Sequence, residues 1–160
     1  EKTMSIFMNY DGIKGEATAK GHEDWIDVLS LDWGVQRGIT ARVGTSKDRE
    51  ATSADVSELR ITKYMDNTTP YLFKEACVGK GKQVQLHLTK TGDTLENYME
   101  YNLKDCMISG YRVNTDGDRP VEEITLSFTR IEQKYTPYDD NHKASSPISN
   151  AYDMTTASMA

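Results

Sequence analysis

A single short helical segment, at about residues 70–78, lies in a chain whose other regular patterns are all strand-like. Pro70 fits the first helical position, where a missing N–H costs nothing, and Thr69 before it is predicted to be the N-cap. Gly79 is predicted to end the helix in a left-handed conformation. The predicted apolar face consists of Leu72, Phe73, Ala76 and Cys77. A helix this short is not stable alone in water, so it must pack on a sheet.

Apolar and polar residues alternate in six further runs, which is the pattern of half-buried strands. These runs span residues 4–10, 25–36, 56–65, 83–89, 95–111 and 121–135. The alternation changes phase near Lys104–Asp105 and again near Thr129–Arg130, where a β-bulge or a crossing between sheets is expected. The sequence therefore predicts one mainly β domain over residues 1–160. In the predicted fold, two packed antiparallel sheets form a small β-barrel or sandwich, with one short α-helix at about 70–78.

Two stretches lack these patterns. Residues 40–54 are almost entirely polar, and structureless stretches this long are uncommon inside a compact domain, so we interpret them as an exposed arm. A merely disordered loop is the alternative. Residues 137–160 are rich in Ser, Ala, Asn, Asp and Thr, and they are predicted to form a polar C-terminal tail.

Composition and charge argue against several classes of function. The net charge of −6 and the pI near 5.1 disfavour a nucleic-acid partner, which would require a basic face. No apolar run approaches the roughly 18–20 residues of a membrane-spanning helix, so no membrane insertion is expected. The N-terminus has no Sec-type export signal, so a secreted chain would have to leave by another route. Cys77 and Cys106 both lie among apolar residues, and each is expected to be a buried, reduced thiol.

No catalytic, cofactor or metal site emerges from the sequence. His22, His87 and His142 are scattered, without the spacing of metal ligands, and no nucleophile motif is present. Residues 114–118 resemble the start of a calcium loop, but Arg119 replaces the required glycine, so a hairpin turn is predicted instead. We therefore expect no catalytic residues, no cofactor, no metal and no enzymatic activity.

Short motifs along residues 4–138 together resemble the Hcp family, the haemolysin-coregulated proteins of bacterial type VI secretion. Each motif is weak alone, but their order and spacing are specific. The motifs are Gly12-x-x-Gly15-Glu16; His22 with Trp25, Ile26, Val28 and Leu29; Trp33-Gly34; Thr62-Lys63-Tyr64-Met65-Asp66 with Thr69-Pro70 and Ala76-Cys77; Tyr101-x-Leu103; Ser109-x-Tyr111; Glu123; Ser127-Phe128; Ile131-Glu132; and Tyr135-Thr136-Pro137.

The resemblance implies a structural subunit of the type VI secretion inner tube. Six copies would form a ring, and rings would stack into a tube that a contracting sheath expels. By the same resemblance the partners are other copies of this chain, the spike protein, the contractile sheath and small effector proteins carried and protected in the lumen. Assembly in the bacterial cytoplasm followed by secretion to the medium or a target cell is implied as well. A phage-like tail tube protein of another contractile injection particle is one alternative, and a monomeric β-barrel ligand-binding module is another.

Two groups of residues are assigned to this assembly as hypotheses. The arm is expected to reach an adjacent ring, because a surface repeated along an axis builds a filament. Its assigned residues are Thr40, Arg42, Val43, Thr45, Lys47, Asp48, Arg49 and Glu50. Ser30, Asp32 and Gln36 form the polar side of the 25–36 run and are predicted to face the lumen, since a ring needs a wet inner wall; outward exposure to solvent is the alternative.

Overall fold

The computed structural model describes residues 4–41, 49–90 and 95–160. In these residues the chain forms fourteen strands and one helix, and every pairing is antiparallel. The elements are β1 (Met4–Tyr10), β2 (Ile26–Val28), β3 (Ser30–Asp32), β4 (Val35–Gln36), β5 (Ile39–Ala41), β6 (Arg49–Ala51), β7 (Asp55–Val56), β8 (Leu59–Tyr64), α1 (Thr69–Val78), β9 (Lys82–Lys90), β10 (Glu96–Asn114), β11 (Val121–Ser127), β12 (Arg130–Tyr135), β13 (Ile148–Asp153) and β14 (Ser158–Met159).

One long strand, β10, belongs to two sheets. Its first half lies in sheet A, with the order β2-β1-β9-β10-β12-β13-β14. Its second half lies in sheet B, with the order β10-β11-β8-β3. The pairing register with β9 shifts between Leu103 and Cys106, and Asp105 in between has a positive φ of 51°. The predicted phase change at Lys104–Asp105 is therefore confirmed, and it marks the point where the strand leaves sheet A.

The strand path closes around the core. β2 pairs with β1 in sheet A, β3 pairs with β8 in sheet B, and only Leu29 separates β2 from β3. The Leu29 amide donates a hydrogen bond to the Thr62 carbonyl at 2.7 Å, which holds this junction to sheet B. The second predicted phase change is a crossing as well: β11 pairs with the second half of β10, whereas β12 pairs with the first half. The predicted two-sheet, mainly β fold is confirmed.

The core lies between the two sheets and is filled by alternate residues of each strand. Its fully buried members include Met8, Tyr10, Ile26, Leu59, Ile61, Val84, Leu86, Leu103, Cys106, Ile124 and Leu126. Burial raises the pKa of the Cys106 thiol to about 12, so this sulfur behaves as a small apolar group, as predicted.

The helix exists where it was predicted, but its ends differ. It begins at Thr69, so Thr68 is the N-cap and it makes no side-chain capping bond. The Thr69 hydroxyl instead accepts the Asp66 amide at 3.1 Å. Gly79 is extended, with φ −66° and ψ 155°, so the predicted left-handed end is wrong. A Cβ at Gly79 would lie 2.4 Å from the Glu75 carbonyl oxygen, so close approach explains this glycine.

The face that the helix buries is narrower than the four residues that were predicted for it. Leu72 is fully buried and Ala76 is half-buried, but Phe73 is 57% exposed and Cys77 is exposed as well. The prediction that Cys77 is buried is therefore wrong, although both cysteines are free thiols. The Phe73 ring contacts Tyr111 edge to face at 6.2 Å, at the margin of the core. A short helix lying on one part of a sheet buries one stripe of side chains and leaves the flanking positions in solvent.

Three strand predictions need correction. The run at 25–36 is not continuous but forms β2, β3 and β4, and the run at 56–65 is reduced to β8 with β7 separate. The predicted tail at 137–160 contains β13 and β14, which extend sheet A beyond β12. Only Ala151 of β13 is buried, so the apolar signal of this edge strand is too weak to read from sequence.

We predict that Gly15→Ala destabilises the fold by about 1–3 kcal/mol, because an added Cβ would lie 2.2 Å from the Trp25 carbonyl oxygen. Gly34→Ala is the matched control, since no atom lies within 4 Å of its added Cβ, and its change should stay within about 0.5 kcal/mol. Urea unfolding followed by tryptophan fluorescence measures both. Equal stability of the two variants would contradict the prediction.

Candidate functional site

The outer side of sheet B is a polar surface that adjoining strands build in register. Ser30 pairs with Thr62, Thr62 with Glu123, and Glu123 with Arg112; in the next row Asp32 pairs with Arg60, and Arg60 with Thr125. Each of these residues is exposed or half-buried, whereas the intervening residues such as Ile61 and Ile124 are buried. We call Ser30, Asp32, Arg60, Thr62, Arg112, Glu123 and Thr125 the polar face.

Short polar contacts order this face. The hydroxyl groups of Ser30 and Thr62 are hydrogen-bonded at 2.5 Å, and the Arg60 Nε lies 3.3 Å from a carboxylate oxygen of Glu123. The Arg60–Glu123 pair is solvent-exposed, so it adds little stability. Charges of both signs and hydroxyl groups along an exposed sheet surface are suited to contact with water and with polar groups.

The three residues predicted to face the lumen lie close together. Ser30 and Asp32 occupy the polar face, two positions apart on β3. Gln36 lies on β4, outside sheet B, but it lines the same groove as Asp32. This groove has a volume of about 560 Å³, and its charged lining residues are Asp32, Asp55, Glu58 and Arg60. The groove therefore carries an excess of negative charge.

The predicted arm is a two-stranded ribbon. β4 pairs with β7 and, farther along the chain, β5 pairs with β6. The ribbon therefore begins near Gly34, earlier in the chain than the predicted arm at residues 40–54. Thr40 pairs with Glu50, and Ala41 with Arg49. The Gly38 amide donates to the Thr52 hydroxyl at 2.8 Å and bridges the two pairs. The remaining assigned residues, Arg42, Val43, Thr45, Lys47 and Asp48, lie outside the described residues.

A buried ionic network fixes the helix to sheet B. The Lys63 ammonium and the Glu122 carboxylate are fully buried, and their atoms are 2.6 Å apart. Lys63 also donates to Asp66 at 3.1 Å and to the Tyr64 carbonyl at 2.8 Å, so all three of its N–H groups are used. Glu122 in turn accepts hydrogen bonds from Lys63, Thr69 and Tyr111.

The Tyr111 hydroxyl belongs to this network. Burial, and then its hydrogen bond to the Glu122 carboxylate, raise the pKa of Tyr111, so this phenol stays a donor over the ordinary pH range. The sequence analysis did not predict this network. Lys63 stands among the inward-facing residues of β8 and Glu122 stands in phase with Ile124 and Leu126 of β11, so two opposite charges on inward positions were the available signal.

No helix in residues 4–41, 49–90 and 95–160 has the length and apolar character needed to cross a membrane. No group of three or more His, Cys, Asp and Glu side chains in the same ranges could hold a metal ion.

Comparison with known proteins connects this geometry to one family. The family model for the type VI secretion system effector Hcp matches residues 7–135. Protein Hcp1 of Pseudomonas aeruginosa is 30% identical over 158 residues, which cover 94% of this chain and 95% of the relative.

Solved structures share the fold over nearly the whole chain. A type six secretion system protein superposes with a TM-score of 0.89 at 27% identity, covering 98% of this chain and 99% of the other. Hcp1 from Salmonella typhimurium superposes with a TM-score of 0.77 at 25% identity, covering 99% and 100%.

We predict that Lys63→Ala lowers the free energy of unfolding by about 3–5 kcal/mol, because Glu122 would be left buried without its counter-charge. The control is Arg60→Ala, which breaks the exposed pair with Glu123 and should cost less than about 1 kcal/mol. Urea unfolding of both variants at one protein concentration measures the difference, since self-association would shift the apparent stability. A Lys63 variant as stable as the Arg60 variant would show that the network does not hold the fold.

Proposed function

This chain belongs to the Hcp family of type VI secretion tube proteins, and from that premise we propose that its copies form six-membered rings that stack into a tube. The observation that carries the proposal is the family match over residues 7–135. The fold fits it: a closed two-sheet body with one polar outer face and an exposed ribbon suits repeated self-contact.

The family is one of structural tube proteins and not of enzymes, which confirms the expectation of a non-enzymatic chain. Members of the family are secreted by the type VI system. For this chain we infer assembly in the bacterial cytoplasm and expulsion by a contracting sheath. The spike protein, the sheath and small effector proteins are the partners inferred alongside other copies.

The ribbon is our candidate for the contact between rings. Residues 34–40 and 51–53 are exposed, so this ribbon keeps most of its surface for a partner. Because its strands pair only with each other in the described residues, their outer edges can accept a further strand from another copy. The polar face and the ribbon are built from different strands, so a contact between rings through the ribbon need not involve the polar face.

The polar face is our candidate for the lumen wall. Ser30 and Asp32 on this face, with Gln36 in the adjoining groove, would present hydroxyl, carboxylate and amide groups to cargo. A wall of this kind stays hydrated and holds cargo through weak, reversible contacts.

Size-exclusion chromatography and negative-stain electron microscopy test the assembly. We predict elution near six times 18.0 kDa and ring images with a central opening. Deleting residues 39–51 and joining Gly38 to Thr52 through an Asn-Gly turn should leave rings but abolish tubes. This deletion should change the stability of the two-sheet domain little, because the Thr52 amide already donates to the Gly38 carbonyl at 2.8 Å.

The outcomes of this experiment separate the hypotheses. If the shortened chain still forms tubes, the proposed role of the ribbon is wrong, whereas the proposal that the chain forms rings is unaffected. Elution of the full chain near 18.0 kDa, without rings, would overturn the tube function and favour a monomeric binding module.

We predict that Asp32→Arg leaves the ring elution unchanged but alters the amount of small secreted protein that co-purifies with tagged rings. The substitution reverses one charge of the acidic groove, so retention of basic cargo should fall about fivefold, the equivalent of ~1 kcal/mol per contact. Asp140→Arg is the control, because this exposed aspartate follows β12 in the chain and is not among the residues that line the groove. Equal retention by both variants would argue that the polar face is not the lumen wall.

A further inference from the structure

Two histidines meet on the outer side of sheet A, beneath the segment that joins β1 to β2. This segment, residues 11–25, is called the strap. It is held by its own backbone bonds, in which Gly15 donates to Asp24 at 2.7 Å and Asp24 donates to Ala17 at 2.9 Å. His22 of the strap is only 5% exposed, and it contacts His87 of β9. The strap is therefore held against the sheet through the contact of a buried imidazole, His22, with a half-buried one, His87.

Aromatic rings enclose this pair. The His22 ring stacks on Phe7 of β1 with a centroid distance of 4.7 Å, and Trp25 contacts both imidazoles at 4.8 and 4.4 Å. Neither Phe7 nor Trp25 can take up a proton. Charge at the pair must therefore be balanced by other neighbours.

The hydrogen bonds assign a tautomer to each ring. His87 Nε2 lies 3.1 Å from Glu100, so it carries a hydrogen and donates. His87 Nδ1 then has a lone pair, which faces His22 Nε2 at 3.0 Å and Asn97 Nδ2 at 3.0 Å. His22 Nε2 accordingly carries a hydrogen and donates to His87. The remaining atom, His22 Nδ1, is buried and has no hydrogen-bond partner.

The charged groups around the pair are few. Glu100 of β10 contacts His87 and is itself paired with Lys134 of β12 at 3.4 Å. Glu23 of the strap acts on His22 from the solvent side, where it accepts the Gly21 amide. Glu100 and Glu23 favour a charged imidazole, whereas Lys134 and the second imidazole oppose it.

A proton on His87 Nδ1 is incompatible with this arrangement. It would place an N–H group against the N–H of His22 Nε2, and two donors cannot share one hydrogen bond. His22 would have to move its hydrogen to Nδ1, which has no hydrogen-bond partner in the closed arrangement and only the Lys20 backbone nearby, or leave the site. Either change leaves a buried polar group without a partner or a buried charge without water, and both are costly.

We propose that the His22–His87 pair is an acid-sensitive latch that holds the strap on sheet A at neutral pH and releases it as the pH falls. The strap leads directly into β2 and β3, so release would reach the strands that carry Ser30 and Asp32. The latch lies within one chain, and it holds whether or not copies of the chain form rings.

The direction of the pH effect follows from the two states. Burial, as the largest cause, lowers the pKa of His87 to about 4, and burial also lowers the pKa of His22 from its ordinary value. When the strap is released, the imidazoles of His22 and His87 are both exposed to water, where an imidazole titrates near 6.5. The released state therefore binds more protons between these values, so the stabilisation of the closed strap is fully present above about pH 6.5 and is progressively lost toward about pH 4.

Hydrogen–deuterium exchange with mass spectrometry tests the latch on the full chain. Labelling at about pH 7 and about pH 5, with times corrected for the slower exchange chemistry in acid, reports the protection of each peptide. We expect protection of the strap to fall at least about tenfold at the lower pH. Peptides from β8 and β11 serve as the internal reference and should keep their protection.

Two variants isolate the pair. His87→Gln cannot gain a charge at this position, so its strap should lose clearly less protection than that of the parent between the two pH values, with only His22 left to titrate. His142→Gln is the matched control, because this third histidine bonds Glu96, far along the sequence from the strap, and its strap should lose protection as the parent does. A strap that keeps its protection in the parent, or loses it equally in His87→Gln, overturns the latch.

A measurement on the parent chain decides the matter if His87→Gln does not fold. Exchange of the imidazole C2 hydrogens, followed against pH by mass spectrometry, gives a titration midpoint for each histidine. Midpoints below about 6 for both His22 and His87 support the latch, and midpoints near 6.5 overturn it.

Discussion

The buried Lys63–Glu122 ion pair is the interaction on which the arrangement of this molecule depends. It joins β8 to β11, and through the Tyr111 and Thr69 hydroxyls it also holds β10 and the start of the helix. Taking two charges out of water is expensive, so such a pair is a poor source of net stability. Its bonds are directional, however, and each fixes one element relative to another. We interpret the pair as the feature that sets the helix at one place on sheet B.

The shared strand β10 explains why one small domain has two different outer surfaces. Its first half gives sheet A a face covered in part by the strap, with His87 and Glu100 in contact beneath it. Its second half gives sheet B an open face of hydroxyl and charged groups. Because side chains alternate along a strand, the core positions of both halves stay apolar while the outer positions are free to differ. A closed body with two such surfaces can contact other copies without exposing its core.

Four elements show which features of the fold a sequence pattern can predict and which it cannot. The phase change at Lys104–Asp105 was readable because a slipped alternation is visible in one strand, and the bulge is where it was expected. The ribbon was recognised only as an arm, since pairing between Thr40 and Glu50 leaves no apolar periodicity. The edge strand β13 was missed for a related reason, because Ala151 is its only buried residue. Phe73 and Cys77 were placed inward by helical spacing, whereas the short helix buries only Leu72 fully.

The sequence by itself determined the fold class and the one helix, because these depend on local periodicity and on single residues with fixed backbone preferences. Only the tertiary structure decided that Glu122 meets Lys63, that Asp32 and Gln36 line one groove, and that His22 contacts His87. Each of those meetings joins residues on different strands, and the strand register that brings them together is a property of the whole sheet. The pattern of residues along one strand therefore does not predict this register.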